Sequence, residues 1–308
     1  MKMNNLKLSF DNSFFEEEKK CDYLISTEQK KIWAIELDLL NELLRVCDKH
    51  GLKVFAWGGT LIGAVRHDGF IPWDDDVDVC MSREDYEKLG KVAEEEFKHP
   101  YFYQTAYTDK EFFIGYSRLR NSETTGVVYC NKSENYNNGI YIDIIVMDDY
   151  IEDEKKLDYQ LFKIRVAQFL CLSFTSDSKD WKGFKKIASK IVHFCLKPFI
   201  KYENLIKQYE QQLQLYKNKS DKVSQMFAPK KIITKQWGLK KQFEEIQLHK
   251  FENLNIPIPK DYDNILKHFY GNYMEFPPIE KRGVWHEGVI FFNPDIPYKE
   301  YIMEDNKK

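Results

Sequence analysis

The run Trp57-Gly58-Gly59-Thr60-Leu61-Ile62-Gly63-Ala64-Val65-Arg66-His67-Asp68-Gly69-Phe70-Ile71-Pro72-Trp73-Asp74-Asp75-Asp76-Val77-Asp78-Val79 decides how the chain is read. Leu52 to Trp57 is short and apolar enough for a buried strand, and it runs straight into two glycines. Leu61 to Arg66 suits a short helix, after which Asp68-Gly69 turns the chain into a segment that alternates like a second strand. Between a strand and a helix, Gly58, Gly59 and Thr60 offer backbone N–H groups to a phosphate, with the helix dipole and the Thr60 hydroxyl adding to the attraction. Arg66, one helix face further on, is a candidate clamp for another phosphate oxygen. Asp76 and Asp78 are two apart, so on a strand both leave one face while Val77 and Val79 enter the core. Two neighbouring carboxylates repel unless a cation or proton neutralises them, and oxygen-only ligands favour a hard divalent ion, usually Mg2+. Asp74 and Asp75 either orient those ligands or simply belong to the loop.

Upstream, Ser26-Thr27-Glu28-Gln29 has the form of a capping box, followed by apolar residues at Ile32, Ile35, Leu39, Leu43 and Cys47 until Gly51. Downstream, Ser82 with Asp85 caps another helix, and strands are expected over 112–119 and 125–129. Gly139 to Met147 is the strongest strand signal, with Ile140, Ile142, Ile144 and Val146 on one face and Tyr141, Asp143 and Ile145 on the other. An acid in that setting is costly unless paired or bound to a metal, which makes Asp143 a candidate third carboxylate.

The chain has 308 residues, 43% of them hydrophobic and 15% aromatic, which places it among globular proteins and away from disordered ones. A net charge of −3 excludes a general polycation for nucleic acid, so no nucleic-acid partner is expected. Charge is distributed unevenly: residues 182–241 hold 15 Lys against Glu203, Glu210 and Asp221, a surplus of 12 positive charges that leaves −15 for the remainder. Cys21, Cys47, Cys80, Cys130, Cys171 and Cys195 form no metal-binding spacing and read as free thiols of a reducing cytoplasm. No signal peptide or spanning segment is legible, so a cytoplasmic protein is expected. In the basic stretch Ile187, Ile191, Phe194 and Cys195 share one helical side with lysines interleaved. The simpler reading is a solvated face over a packed core; the other is peripheral contact with an anionic membrane at its inner face. The expected divisions are a tail over 1–25, a catalytic core over 26–150, a helical basic lobe over 151–250, and a segment over 251–308 that packs back on the core.

The quoted run resembles the signature of the LicD family of phosphocholine transferases, and Gly139 to Asp148, Tyr270 to Met274 and Pro277-Pro278 resemble later parts of that family. The resemblance implies an α+β protein with a nucleotidyltransferase-like mixed sheet flanked by helices, here with an added helical Lys-rich lobe. It implies Gly58, Gly59 and Thr60 as the glycine element, and Asp76, Asp78 and Asp143 as the catalytic acids and ligands of Mg2+ or Mn2+. Arg66, Trp73, Asp74 and Asp75 are expected on the substrate side. The implied reaction moves an alcohol phosphate, phosphocholine foremost, from a CDP-alcohol donor such as CDP-choline to a sugar hydroxyl of a lipid-linked or soluble glycan (teichoic acid, lipopolysaccharide or capsule), releasing CMP. A quaternary cation needs an aromatic face; Trp57, Trp73, Tyr86 and Trp285 are candidates by residue type. Fukutin-related members carry a cysteine-rich zinc element with no counterpart in this sequence, so no zinc is expected. Two other readings stay open: nucleotidyl transfer from an NTP with pyrophosphate release, and a non-enzymatic binder of nucleic acid or anionic membrane.

Overall fold

A computed structural model describes residues 6–110, 112–128, 136–175, 181–282 and 289–305. A hairpin of β1 (Glu18–Lys20) and β2 (Tyr23–Ile25) leads into α1 (Thr27–His50). The Ser26 side chain accepts from the Gln29 N–H at 3.2 Å, and Gly51 ends the helix at φ 62°, a conformation glycine adopts without steric cost. Only half of the expected capping box forms, because the Gln29 side chain reaches toward a different segment. The apolar stripe of Ile32, Ile35, Leu39 and Leu43 is fully buried, each side chain contributing about 1.5–3 kcal/mol.

There follow β3 (Phe55–Ala56), shorter than the expected strand, α2 (Gly58–His67), β4 (Asp78–Ser82), α3 (Arg83–Glu96), β5 (Tyr101–Gln104), β6 (Ser117–Asn121), β7 (Thr125–Val128) and β8 (Ile140–Asp149). Ser82 caps α3 as expected, accepting from the Asp85 N–H. β8 is the centre of a mixed sheet: parallel to β4, which pairs with β3, and antiparallel to β6, which pairs with β5. Ile140, Ile142 and Ile144 enter the main core with α1, whereas Ile145 and Met147 pack on the other side with Trp57, Phe243 and Phe269. The α+β reading therefore holds, as a mixed sheet flanked by helices.

Next come α4 (Glu154–Leu172), α5 (Gly183–Leu196) and α6 (Tyr202–Leu213), then β9 (Lys222–Ser224), α7 (Lys230–Lys235) and β10 (Gly238–Leu239). α4 and α6 build a second core from Leu157, Leu161, Ile164, Leu205, Tyr209 and Leu213. The lobe expected to be helical is only partly so: β9 pairs with the last residues of β8, and β10 with β9, so this region extends the same sheet. The chain closes with the hairpin β11 (Ile246–Phe251) and β12 (Leu254–Pro259), then α8 (Tyr262–Tyr270), β13 (Val289–Asn293) and α9 (Tyr298–Asp305). Phe251, Ile256, Ile258 and Leu266 join the main core, and β13 pairs with β7.

Residues 6–25, expected as a tail, also pack on the body: Leu8, Phe10 and Phe14 lie against the core and Ile25 is inside it. The reason is composition, since this acidic-looking stretch carries enough large apolar side chains to be worth burying. Cys21, Cys47, Cys80, Cys171 and Cys195 are free thiols, and Cys130 lies outside the described residues.

Candidate active site

Strand register brings the acids together. β4 runs parallel to β8 with Asp78 beside Asp143, and β6 runs antiparallel on the other edge of β8 with Arg118 beside the same Asp143. The three charged residues are thus neighbours across three strands. Arg118 Nε donates to Asp143 Oδ1 at 2.6 Å, and the Tyr116 hydroxyl donates to Oδ2 at 3.0 Å. The Arg118 guanidinium also lies 3.7 Å from the centre of the Tyr141 ring. Burial alone would lower the affinity of Arg118 for its proton, but the adjacent carboxylate outweighs it and holds that pKa well above the usual value. Arg120, two residues on, is fully buried, bonded to Gln104 and the Gly139 carbonyl, and burial followed by the repulsion of Arg118 pushes it down to about 9.

Asp76 sits in the loop just ahead of β4 rather than on the strand, yet the alternation persists: Val77 and Val79 are buried while Asp76 and Asp78 are half-buried. Carboxylate oxygens of Asp74, Asp75 and Asp76 lie within 4.8 Å of one another. The loop is held by its neighbours. Gln29 Nε2 donates to the carbonyls of Pro72 at 2.9 Å and Asp74 at 3.2 Å, and Trp33 Nε1 donates to the Asp74 carbonyl at 3.1 Å. Trp33 in turn stacks on Phe70, ring centres 4.5 Å apart. On the other side the β11–β12 turn grips the chain, since the Glu252 N–H donates to the Asp68 carbonyl at 2.8 Å and the Glu252 carboxylate accepts from the Phe70 N–H at 3.1 Å. Gly69 makes this approach feasible, because a Cβ there would overlap the Glu252 carboxylate.

Gly58 and Gly59 form the first turn of α2 rather than a separate turn before it. A Cβ at Gly59 would stand 2.5 Å from Asp74 Oδ2, and one at Gly58 3.1 Å from Asp78 Oδ2. The glycines therefore let two carboxylates reach the positive end of a helix dipole. Thr60 does not turn its hydroxyl toward a ligand space: it is buried and accepts from the Asp78 N–H at 2.8 Å, fixing the start of β4. Arg66 Nη1 reaches the Tyr273 carbonyl at 2.7 Å and the Glu275 carbonyl at 3.3 Å, tying α2 to the C-terminal segment. Trp73 is half-buried beside Tyr23, His67 and Phe276, and the Arg282 guanidinium lies 4.9 Å from its ring centre. Of the other aromatic candidates, Trp57 is core packing against Phe55, Phe243 and Phe269, and Tyr86 lies on α3 near Arg83. Trp285 lies outside the described residues.

Sequence reasoning missed Glu36. Fully buried in α1, it has its carboxyl pushed well above the usual range by burial first and then by Asp76, Asp75, Asp74 and Asp143. Its Oε2 is buried without a hydrogen-bond partner among the described residues. The signal was present, since Glu36 falls four residues after Ile32, inside the apolar stripe where a polar side chain is out of place. A donor set made only of carboxylate oxygens, with a buried acid under their influence whose Oε2 has no hydrogen-bond partner among the described residues, fits a hard divalent cation.

Residues 51–165 match the family described as LicD/FKTN/FKRP, nucleotidyltransferase domain. That span encloses Gly58, Gly59, Asp74 to Asp78, Arg118 and Asp143 and leaves out Glu36. The chain is 29% identical over 262 residues to the Haemophilus influenzae protein named lipopolysaccharide cholinephosphotransferase LicD, covering 81% of this chain and 92% of that one. It is also 30% identical over 154 residues to an uncharacterized protein of Rickettsia prowazekii, covering 47% of this chain and 53% of the other. With the motif, the acids brought together by strand register and a likeness extending over most of both chains, the conclusion is that residues 51–165 match a LicD/FKTN/FKRP nucleotidyltransferase domain and that the chain as a whole is similar to a LicD cholinephosphotransferase.

Proposed function

We propose that this chain transfers phosphocholine from CDP-choline to a sugar hydroxyl of a cell-surface glycan, a lipopolysaccharide being the acceptor class suggested by the named relative, with CMP leaving. The observation that carries the reading is the register of β4 against β8, which sets Asp78 beside Asp143 inside the matched domain. Asp76 and Asp78, with Asp143 beside them, would hold a Mg2+ or Mn2+ ion, which supplies charge neutralisation at the phosphoryl oxygens and at the departing CMP. The sugar oxygen forms its bond to the choline-bearing phosphorus, the bond from that phosphorus to the CMP oxygen breaks, and the hydroxyl proton passes to a carboxylate oxygen of Asp143. Arg118 and Tyr116 orient that carboxylate. Each of its oxygens has two lone pairs and gives one to these donors, so the second remains for a proton or ligand. The first turn of α2 supplies positive potential for the diphosphate.

The test is CMP release from a panel of CDP-alcohols, followed by mass spectrometry, with Mg2+ or with EDTA and with Asp78→Asn as control. Mg2+-dependent CMP from CDP-choline, absent in the variant, is expected. CMP from a different CDP-alcohol would keep the reaction and correct the cargo. No CMP from any donor, even with envelope glycan added, would overturn the proposal, and pyrophosphate from an NTP in the same assay would replace it.

A further inference from the structure

α5 is turned the wrong way round for a globular protein. Phe184, Ile187, Ile191 and Phe194 recur at spacings of three and four, so they share one side of the helix, and they are 83%, 58%, 57% and 82% exposed. Phe199, just beyond the C-terminal end, is 85% exposed. The opposite side faces the protein: Ser189 is the buried residue of α5, and His193 Nδ1 meets the Ser173 carbonyl at 3.1 Å. Among the described residues, the second core, built by α4 and α6, takes no apolar side chain from α5. The expectation of a solvated face over a packed core is thereby reversed, since the apolar side is the solvated one.

Charge says what covers it. From Lys182 to Lys201 the chain holds six lysines, Lys182, Lys185, Lys186, Lys190, Lys197 and Lys201, and no acid. On the helix Lys186, Lys190 and Lys197 flank one border of the apolar stripe and Lys185 the other. A second copy of the chain would set six lysines against six more, whereas an anionic surface neutralises them. At 14 residues α5 is about 21 Å long, too short to span a bilayer and suited to lie within its surface.

We propose that α5 is an interfacial anchor, with Phe184, Ile187, Ile191, Phe194 and Phe199 entering the headgroup boundary of an anionic lipid bilayer and the lysines contacting its phosphates. The consequence is that the enzyme works at a membrane face, whichever phosphate it carries.

The experiment is co-sedimentation of the full chain with vesicles of phosphatidylcholine alone or mixed with phosphatidylglycerol. Binding to the mixed vesicles at low salt, weakened by high salt and absent on phosphatidylcholine, is expected. A lysine near an anionic surface is worth about fivefold in affinity, so Lys182→Gln, Lys190→Gln and Lys197→Gln together lower it roughly a hundredfold. Phe184→Ser, Phe194→Ser and Phe199→Ser together abolish binding while the melting temperature stays put, because these side chains are more than four-fifths exposed. Wild type left in the supernatant with mixed vesicles at low salt overturns the proposal. So does a serine variant that sediments like wild type, or a dimer in solution that the serine variant converts to monomer.

Discussion

Asp143 shows how much of a residue's behaviour is set by what faces it. Alone on an apolar strand it would be costly, yet the Arg118 guanidinium opposite makes the pair tolerable, and each partner depends on the other. Arg118→Gln removes the positive half and leaves Asp143 buried against Asp78. It is expected to cost on the order of 3–5 kcal/mol, read as a fall in the urea midpoint at unchanged slope. Asp76→Asn acts in the opposite sense, because one acid fewer near Glu36 and Asp75 relieves repulsion. Turnover is expected to vanish while the melting temperature stays within a few degrees of wild type or rises; a fully active variant would remove Asp76 from the site. The residues that sequence reasoning selected from the quoted run were those with visible spacing. Arg118 and Glu36 escaped because their significance comes from what lies opposite them, in a strand pairing and in a helix–loop contact.

At the scale of elements, the acidic loop is shaped from outside. α1 supplies Gln29 and Trp33, the β11–β12 turn supplies Glu252, and α2 supplies Thr60 to the first residue of β4. Gln29→Ala strips donors from the Pro72 and Asp74 carbonyls. A stability loss of about 1–3 kcal/mol is expected, with a larger fractional loss of turnover than of folded protein, measured as kcat beside a thermal melt. If kcat follows the folded fraction alone, the loop does not need this support. Helices announced themselves well in the sequence: Ser26, Ser82 and Gly51 mark ends where the backbone changes course. β9 and β10 did not, because strands of three and two residues have no periodicity to read and exist only by pairing with β8. Residues 6–25 were misjudged for a related reason, since dispersed phenylalanines without a period look like a tail until a surface is available to receive them.

For the molecule as a whole, the acid-rich and lysine-rich regions occupy different parts of the fold, as the charge count foreshadowed. If Asp76 and Asp78 hold Mg2+, the ion stabilises the folded state by mass action, about 2.7 kcal/mol at a hundredfold excess over its dissociation constant. A melting temperature that climbs with Mg2+ in wild type and stays flat in Asp76→Asn is expected, and an equal climb in both would place the ion elsewhere. Individual helices and strands were legible because caps, glycines and alternating residues are local signals, whereas the mixed sheet that joins them was expected from the family resemblance. The second core and the outward face of α5 were not legible, because each depends on which distant surface a segment meets.

The side-by-side placement of Asp78, Asp143 and Arg118 also works as proofreading. Strand side chains alternate, so a slip of β8 by one residue would bring Ile142 or Ile144 beside Asp78 and drive Asp143 into the hydrocarbon of the main core, away from Arg118. The error that scatters this row of charges thus carries the penalty of an unpaired charge in the interior. A molecule with the wrong alignment fails to fold stably before it can persist, and the paired row of charges becomes a certificate of correct assembly.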